Sequence, residues 1–127
     1  MKIGIYNKIT GQCGEDVAAL LLKKKGYKIL ERNYKNKIGE IDIIARQKDT
    51  LVFVEVKTRR SEKFGIPSEA VTYYKKQKIV NTAKMYLLDN PADLAIRFDI
   101  IEVYGGFDGE GFDCEKTNHI EEAFLEV

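Results

Sequence analysis

The stretch from Gly39 to Thr58 decides the fold, with GEIDIIA at residues 39–45 and LVFVEVKT at residues 51–58. Both segments alternate and are rich in β-branched residues, which predicts two strands. The polar break QKDT at residues 47–50 separates them. If residues 48 and 49 form a two-residue turn, Asp42 lies directly opposite Glu55 on one face of the hairpin.

Two carboxylates that face each other across a hairpin repel and destabilise it unless a cation compensates. Lys57 projects beside Glu55 on the same face, because strand side chains alternate with a period of two. Magnesium prefers carboxylate and carbonyl oxygens. The pattern therefore predicts a phosphodiester hydrolase in which Asp42, Glu55 and the Val56 carbonyl bind Mg²⁺, with Mn²⁺ able to substitute. Lys57 would position the attacking water or stabilise charge on phosphorus.

A third acid, Glu15, lies on the apolar arc of a helix predicted from about Gly11 to Lys25. It is a further candidate ligand, either directly or through a metal-bound water. Glu40 shares the strand face of Asp42 and is a weaker, outer candidate. Each acid also has a structural alternative, because Glu55 can simply pair with Lys57, Asp42 can be an exposed strand residue, and Glu15 can serve the helix dipole.

Composition limits the classes of protein that fit. A chain of 127 residues with 44% hydrophobic and 32% charged content predicts one globular domain over residues 1–127. No apolar run approaches a membrane span and no secretory signal is evident, so we expect a cytoplasmic protein that does not enter a membrane. Cys13 and Cys114 lack metal-type spacing, and His119 is the only histidine, which argues against zinc chemistry.

Charge is distributed unevenly along the chain. Residues 1–88 hold 19 Lys/Arg and 9 Asp/Glu, whereas residues 89–127 hold 2 Lys/Arg and 11 Asp/Glu. The basic excess in residues 1–88 indicates a surface that binds polyanions, although the same charges can merely keep exposed helix faces hydrated. Basic residues that follow the site or lie on the second helix are the candidate nucleic-acid contacts: Arg59, Arg60, Lys75, Lys76 and Lys78. Tyr73 and Tyr74 among them can stack on unpaired bases, with core packing as the commoner use.

The order of predicted elements is helix, edge strand, hairpin, second helix and strand, which predicts an α/β fold with a mixed sheet flanked by helices. The second helix is expected to open at Pro67 and to end near Leu88, before Pro91. A strand is predicted over Ile96–Tyr104. The Gly- and Asp-rich segment that follows predicts a mobile acidic loop at about residues 105–117.

Several motifs resemble one known group. They are Gly14-Glu15-x-x-Ala18, Gly26-Tyr27, Gly39-Glu40-Ile41-Asp42, Phe53-Val54-Glu55-Val56-Lys57-Thr58-Arg59, Ala70-Val71 with Lys75, Arg97-Phe98-Asp99, and His119-Ile120-x-x-Ala123-Phe124. In this order they resemble the YraN-like, endonuclease-like family of bacterial proteins, over nearly the whole chain. That family is similar to the PD-(D/E)XK nuclease superfamily, most closely to archaeal Holliday junction resolvases. The resemblance implies a restriction-endonuclease-like fold and a site at Glu15, Asp42, Glu55 and Lys57. Residue 41 is Ile rather than the proline of the superfamily's name.

Together these observations predict a magnesium-dependent endonuclease acting on DNA, more so than RNA, with branched DNA as one candidate substrate. Resolvase-type cutting needs two opposed sites, so a homodimer is expected for that activity. A nucleic-acid-binding module without turnover is the main alternative. A protein-interaction domain that recruits a partner through its acidic end is a further one.

Overall fold

The computed structural model describes residues 2–3, 10–59, 72–107 and 111–124. Its elements follow one another along the chain in the order β1 (Lys2–Ile3), α1 (Thr10–Lys24), β2 (Lys28–Lys35), β3 (Glu40–Gln47), β4 (Thr50–Arg59), α2 (Tyr73–Asp89), β5 (Ala95–Phe107) and β6 (Phe112–Phe124). The strands form one six-stranded sheet in the order β1-β6-β5-β4-β3-β2. Among the strand pairs of the described residues, β4–β5 is parallel and the others are antiparallel. The predicted mixed α/β sheet with helices is therefore confirmed.

Helix α1 ends where the sequence predicts. Gly26 has φ +89°, a left-handed conformation that glycine adopts without steric cost. The Tyr27 amide donates to the Leu22 carbonyl at 3.0 Å, and the Gly26 amide to the Lys23 carbonyl at 3.0 Å. This pair of hydrogen bonds is the Schellman arrangement, which satisfies the last helical carbonyls.

The β3–β4 hairpin has the predicted register. Gln47 pairs with Thr50, so residues 48 and 49 form a two-residue turn, and Lys48 has φ +53°. The pairing continues to Ile43 opposite Val54. The next step, beyond the last hydrogen-bonded pair, is Asp42 opposite Glu55, and a hydrogen bond between their carboxyl groups shows that the two side chains lie together, as the sequence predicts.

Each face of the sheet carries its own buried cluster. Val17 and Leu22 of α1 pack on Val52 and Ile101 on one face, whereas Ile79 and Tyr86 of α2 pack with Phe53 and Phe98 on the other. Strand β4 contributes to both clusters, which explains its nearly continuous apolar run from Leu51 to Val54. This central, rigid strand is the one that carries Glu55 and Lys57.

The expectation of an acidic loop over residues 105–117 is wrong for most of that segment. Strand β5 extends through Phe107 and β6 begins at Phe112, with Gly105 paired to Cys114. A Cβ at position 105 would collide with the Asp113 carbonyl, so glycine here permits close approach of two strand backbones. The part of this expectation that concerns residues 108–110 lies outside the described residues.

Helix α2 begins later than predicted. Thr72 has an extended backbone, and its hydroxyl oxygen accepts a hydrogen bond from the Lys75 amide at 3.2 Å, so it is the N-cap and the helix starts at Tyr73. The predicted opening at Pro67 lies outside the described residues. The helix ends at Asp89, before Asn90 and Pro91, as expected. Neither of the helices described here is long and apolar enough to cross a membrane.

Candidate active site

Asp42 and Glu55 are brought together by the β3–β4 hairpin. The Val56 amide donates to Asp42 Oδ2 at 2.7 Å, which ties one oxygen of the β3 carboxylate to the backbone of β4. This bond fixes the orientation of Asp42 beside Glu55. The Val56 carbonyl as a metal ligand stays a prediction.

Lys57 lies beside Glu55, as expected from strand alternation. Its Nζ is 3.3 Å from Glu55 Oε1, and the two side chains are only 18% and 19% exposed. Burial and the neighbouring Asp42 charge raise the pKa of Glu55 to about 7, although Lys57 and Lys75 oppose the shift. The expected Glu55–Lys57 pair is thus present, but it does not neutralise the repulsion from Asp42.

The pKa of Asp42 is also raised. Burial is the main cause and the charge of Glu40 adds to it, against the opposing hydrogen bonds from the Val56 amide and the Glu55 carboxyl. Glu40 itself is exposed and pairs with Lys35 at 3.6 Å. Two adjacent carboxyls with raised pKa values are a feature of functional sites, where ionisation is kept unfavourable until a ligand compensates it.

Glu15 approaches from α1 but stays apart from the other two acids. Its Oε1 is buried and has no hydrogen-bond partner among the described residues, and Arg32 Nη2 is 4.0 Å away. Burial raises the pKa of Glu15 and the charge of Asp42 adds to it, while Arg32 and a hydrogen bond with Asn33 oppose the shift. The coupling to Asp42 is electrostatic, as expected for a more distant partner of the site.

The donor set fits a hard divalent cation. Over the described residues, no three His, Cys, Asp or Glu side chains are grouped closely enough to hold a metal by themselves. Glu15 as a further ligand, directly or through a metal-bound water, stays a prediction. However, Asp42 and Glu55 supply adjacent carboxylate oxygens, and the unpartnered Glu15 Oε1 is an acceptor suited to a metal-bound water. Magnesium normally keeps several waters and binds through one or two carboxylates.

A cleft of about 300 Å³ opens above these carboxylates, and we call it the carboxylate cleft. It is lined by Gly39, Glu40, Asp42, Glu55, Lys75, Lys78 and Ile79. Two cations of α2 thus face two acids of the hairpin. An anion such as a phosphate can be held there only if the acids are themselves compensated by a cation.

The predicted basic residues separate into two groups. Lys75 and Lys78 line the carboxylate cleft. Lys76 instead lies 5.8 Å from the Phe124 ring centroid, and Arg59 is 16% exposed with its Nε 4.0 Å from Glu102, so neither lines the cleft. Arg60 lies outside the described residues.

A second, larger cleft lies elsewhere among the described residues. It has a volume of about 660 Å³ and lies beside the C-terminal end of α2, between Leu30, Leu51, Tyr86 and Leu94. Its charged lining residues are all basic: Lys28, Arg46 and Lys48. Because it holds no carboxylate or other group able to activate water, we place the chemistry in the smaller carboxylate cleft.

Asp99 has the structural role expected for an acid inside an apolar strand. It is fully buried, and Arg97 donates to both of its oxygens at 2.8 and 2.9 Å. His119 Nε2 is 2.7 Å from Oδ2, and the Glu122 amide donates to Oδ1 at 3.0 Å. Burial alone would raise the pKa of Asp99, but these partners outweigh it and lower the pKa. This network ties β6 to β5.

Asn36 is a residue that the sequence analysis missed. Its side chain accepts hydrogen bonds from the Ile38 and Gly39 amides at 2.9 and 3.3 Å, and donates to the Thr82 carbonyl at 3.2 Å. It therefore fixes the β2–β3 turn against α2, next to the carboxylate cleft. The Asn-x-x-Gly pattern at residues 36–39 was the available signal.

Comparison with known proteins places these residues in a family context. The sequence model of the uncharacterised protein family UPF0102 matches residues 14–103, a range that includes all four predicted catalytic residues. A UPF0102 protein from Caldanaerobacter subterraneus subsp. tengcongensis is 54% identical over 121 residues, which cover 94% of this chain and 98% of that protein. A UPF0102 protein from Clostridioides difficile is 48% identical over 119 residues, which cover 93% of this chain and 98% of that protein. A UPF0102 protein from Alkaliphilus oremlandii is 50% identical over 122 residues, which cover 93% of this chain and 99% of that protein.

Proposed function

We propose that this chain, which belongs to the UPF0102 family, is a magnesium-dependent endonuclease that hydrolyses phosphodiester bonds in DNA, branched DNA included. The family expected from the sequence motifs is confirmed, and the activity is the proposal. One observation carries it. Asp42 and Glu55 line one cleft together with Lys75 and Lys78, and Lys57 pairs with Glu55 at 3.3 Å.

The topology supports placement in the PD-(D/E)XK superfamily with a restriction-endonuclease-like fold. A helix precedes three antiparallel strands, and a second helix then leads to a strand parallel to the third. The acid on β3 and the Glu-x-Lys on β4 occupy adjacent strands of this sheet. A resemblance to a superfamily predicts the fold and the position of the site more securely than it predicts the substrate.

Each residue has a defined task in this proposal. Asp42 and Glu55 would hold Mg²⁺, with Glu15 acting through a water. When bound, the ion supplies Lewis acidity and offsets the charge that develops on the phosphate. Lys57, held 3.3 Å from Glu55, keeps its ammonium at the site to orient the attacking water or to stabilise that charge.

Lys75 and Lys78 bind the substrate backbone. Both line the carboxylate cleft from α2, where their ammonium groups can pair with phosphates on either side of the scissile bond. Such contacts are independent of sequence and weaken with salt. The preference for DNA over RNA rests on the resemblance to junction resolvases, and a homodimer is proposed for cutting two opposed strands.

Cleavage assays test this function. Supercoiled, single-stranded and four-way-junction DNA are incubated with Mg²⁺, Mn²⁺ or EDTA, alongside matched single-stranded RNA. We expect metal-dependent cleavage that Glu55→Gln and Lys57→Ala each reduce by roughly 10²-fold or more. Glu115→Gln, an exposed acid on β6, is the matched control and should cleave normally. No cleavage of any substrate, or full activity of Glu55→Gln, would refute the proposal.

A binding module without turnover is the competing function. It is favoured by one observation, that Asp42 and Glu55 already have partners in Val56 and Lys57. It predicts that calorimetry detects no Mg²⁺ binding and that Asp42→Asn leaves DNA affinity intact. The crowding of two acids at a phosphate-binding cleft argues against it, because a module that only binds has no use for them.

A further inference from the structure

A second groove continues from the carboxylate cleft along α2, and we call it the tyrosine groove. It has a volume of about 350 Å³ and is lined by Ile38, Tyr74, Gln77, Lys78 and Asn81. The four helical residues are spaced i, i+3, i+4 and i+7, so they form one face of α2. Lys78 lines both spaces, which makes them neighbours.

The wall opposite α2 is fixed in place. Ile38 belongs to the β2–β3 turn, which Asn36 ties to the Thr82 carbonyl of α2. Gly39 follows in close contact, because a Cβ there would come within 2.9 Å of Thr82 Oγ1. The groove is therefore held open at a set width rather than formed when a ligand arrives.

The chemistry of the lining suits a nucleobase. Tyr74 is 70% exposed, so its use in core packing, the commoner expectation, is wrong. Gln77 and Asn81 are exposed, and no hydrogen bond joins either side-chain amide to another of the described residues. An aromatic face offers stacking to any base, and each amide offers both a donor and an acceptor to a base edge.

The position of the groove sets which nucleotide it can receive. Lys78 stands between the two spaces and can bind the phosphate that links a nucleotide in the groove to the scissile bond. A paired base is not available for stacking on a side chain, because its faces are covered by its neighbours in the duplex. The occupant must therefore be unstacked and unpaired.

We infer that the tyrosine groove binds an unpaired nucleotide next to the scissile phosphate, with its base stacked on Tyr74 and its edge facing Gln77 and Asn81. The substrate class is then DNA with an unpaired nucleotide at the cleavage point, rather than continuous duplex. The inference rests on the proposed function only for the position of the cleaved phosphate. The binding of the unpaired base itself needs neither metal nor turnover.

Binding without metal tests it. Fluorescence titrations in EDTA compare three DNAs of one sequence: a full duplex, the same duplex with one unpaired 2-aminopurine, and the same duplex with an abasic residue there. The wild-type protein should bind the unpaired base roughly 5- to 150-fold more tightly than the other two, which is the range of one base–aromatic stack. The 2-aminopurine emission should be quenched on binding.

Variants at two neighbouring tyrosines decide the assignment. Tyr74→Ala should lose both the preference and the quenching while keeping its duplex affinity, and Tyr74→Phe should retain both. Tyr73→Ala is the matched control, because Tyr73 is 62% exposed but does not line the groove. Preference unchanged in Tyr74→Ala, or absent from the wild type, would overturn the inference.

The same DNAs in Mg²⁺ separate this inference from the proposed function. If the preference is present but no DNA is cleaved, the groove stands and the hydrolase fails. If DNA is cleaved but no preference is found, the hydrolase stands and the groove assignment fails.

Discussion

Replacing Glu55 with Gln should raise the free energy of unfolding above that of the wild type, and this gain should be larger at alkaline pH than at acid pH. The reason is that the native fold destabilises the ionised Glu55 carboxylate. The pKa of Glu55 is about 7 in the folded chain, against 4.5 for the ordinary group. Between these values the folded protein binds a proton that the unfolded chain lacks. Stability therefore falls as pH rises from about 4.5 to above 7.

The magnitude follows from the width of this window. A difference of about 2.5 pKa units corresponds to on the order of 3 kcal/mol of unfolding free energy. Gln cannot ionise, so the Glu55→Gln protein should not lose this amount. The attraction of Lys57 for the ionised carboxylate is already contained in the folded-state pKa, because Lys57 opposes the shift.

Urea unfolding followed by circular dichroism measures the effect. Wild type, Glu55→Gln and the control Glu115→Gln are compared at pH 5 and pH 8 in EDTA. The gain in unfolding free energy of Glu55→Gln over wild type should be about 2.5 kcal/mol larger at pH 8 than at pH 5, on the order of 10 °C in melting temperature. Glu115→Gln should show no such difference.

Adding Mg²⁺ at pH 8 completes the experiment. Saturating Mg²⁺ should raise the melting temperature of the wild type and leave Glu55→Gln nearly unchanged, because the variant lacks one of the two proposed ligands. A gain that is equal at the two pH values would refute the reasoning, since it would mean that Glu55 is not held in an unfavourable ionised state.

Three other predictions follow from the same structure. Mg²⁺ affinity should rise up to tenfold per pH unit below pH 7 and level off above it, because the metal must displace the proton that Glu55 binds. Calorimetry in two buffers of different ionisation enthalpy should detect the release of that proton. Gly14→Ala should lower the unfolding free energy by about 1–3 kcal/mol, since the new Cβ collides with Thr58 Oγ1, and Thr58→Ala should restore most of it. Asp99→Asn should cost about 3 kcal/mol by removing the buried charge with which Arg97 and His119 pair, with Mg²⁺ affinity unchanged.

The hairpin and its acids were predictable because local rules determine them. A polar break of the right length between two alternating segments fixes the register, and the register alone puts Asp42 opposite Glu55. The end of α1 was equally local, since Gly26 supplies the left-handed residue that a helix needs there. These features depend on neighbours in sequence.

The features that were missed depend on partners distant in sequence. Gly105 is typical of a loop, yet in the fold it allows close contact with the Asp113 backbone and so lies within a strand pair. The tie between Asn36 and Thr82 likewise joins residues far apart in sequence. The exposure of Tyr74, in contrast, follows from a local rule, because the buried residues Ile79, Ala83 and Tyr86 lie on the opposite face of α2.

The central claim is that one cation is shared by acids of two neighbouring strands. A crystal structure of the protein soaked in Mn²⁺, with anomalous scattering measured to locate the ion, tests it most directly. The account predicts one peak within roughly 2.5 Å of an oxygen of Asp42 and of Glu55, with Lys57 turned away from Glu55 to leave that oxygen free. A peak that touches only one of these carboxylates, or no peak with the Glu55–Lys57 pair intact, would contradict it.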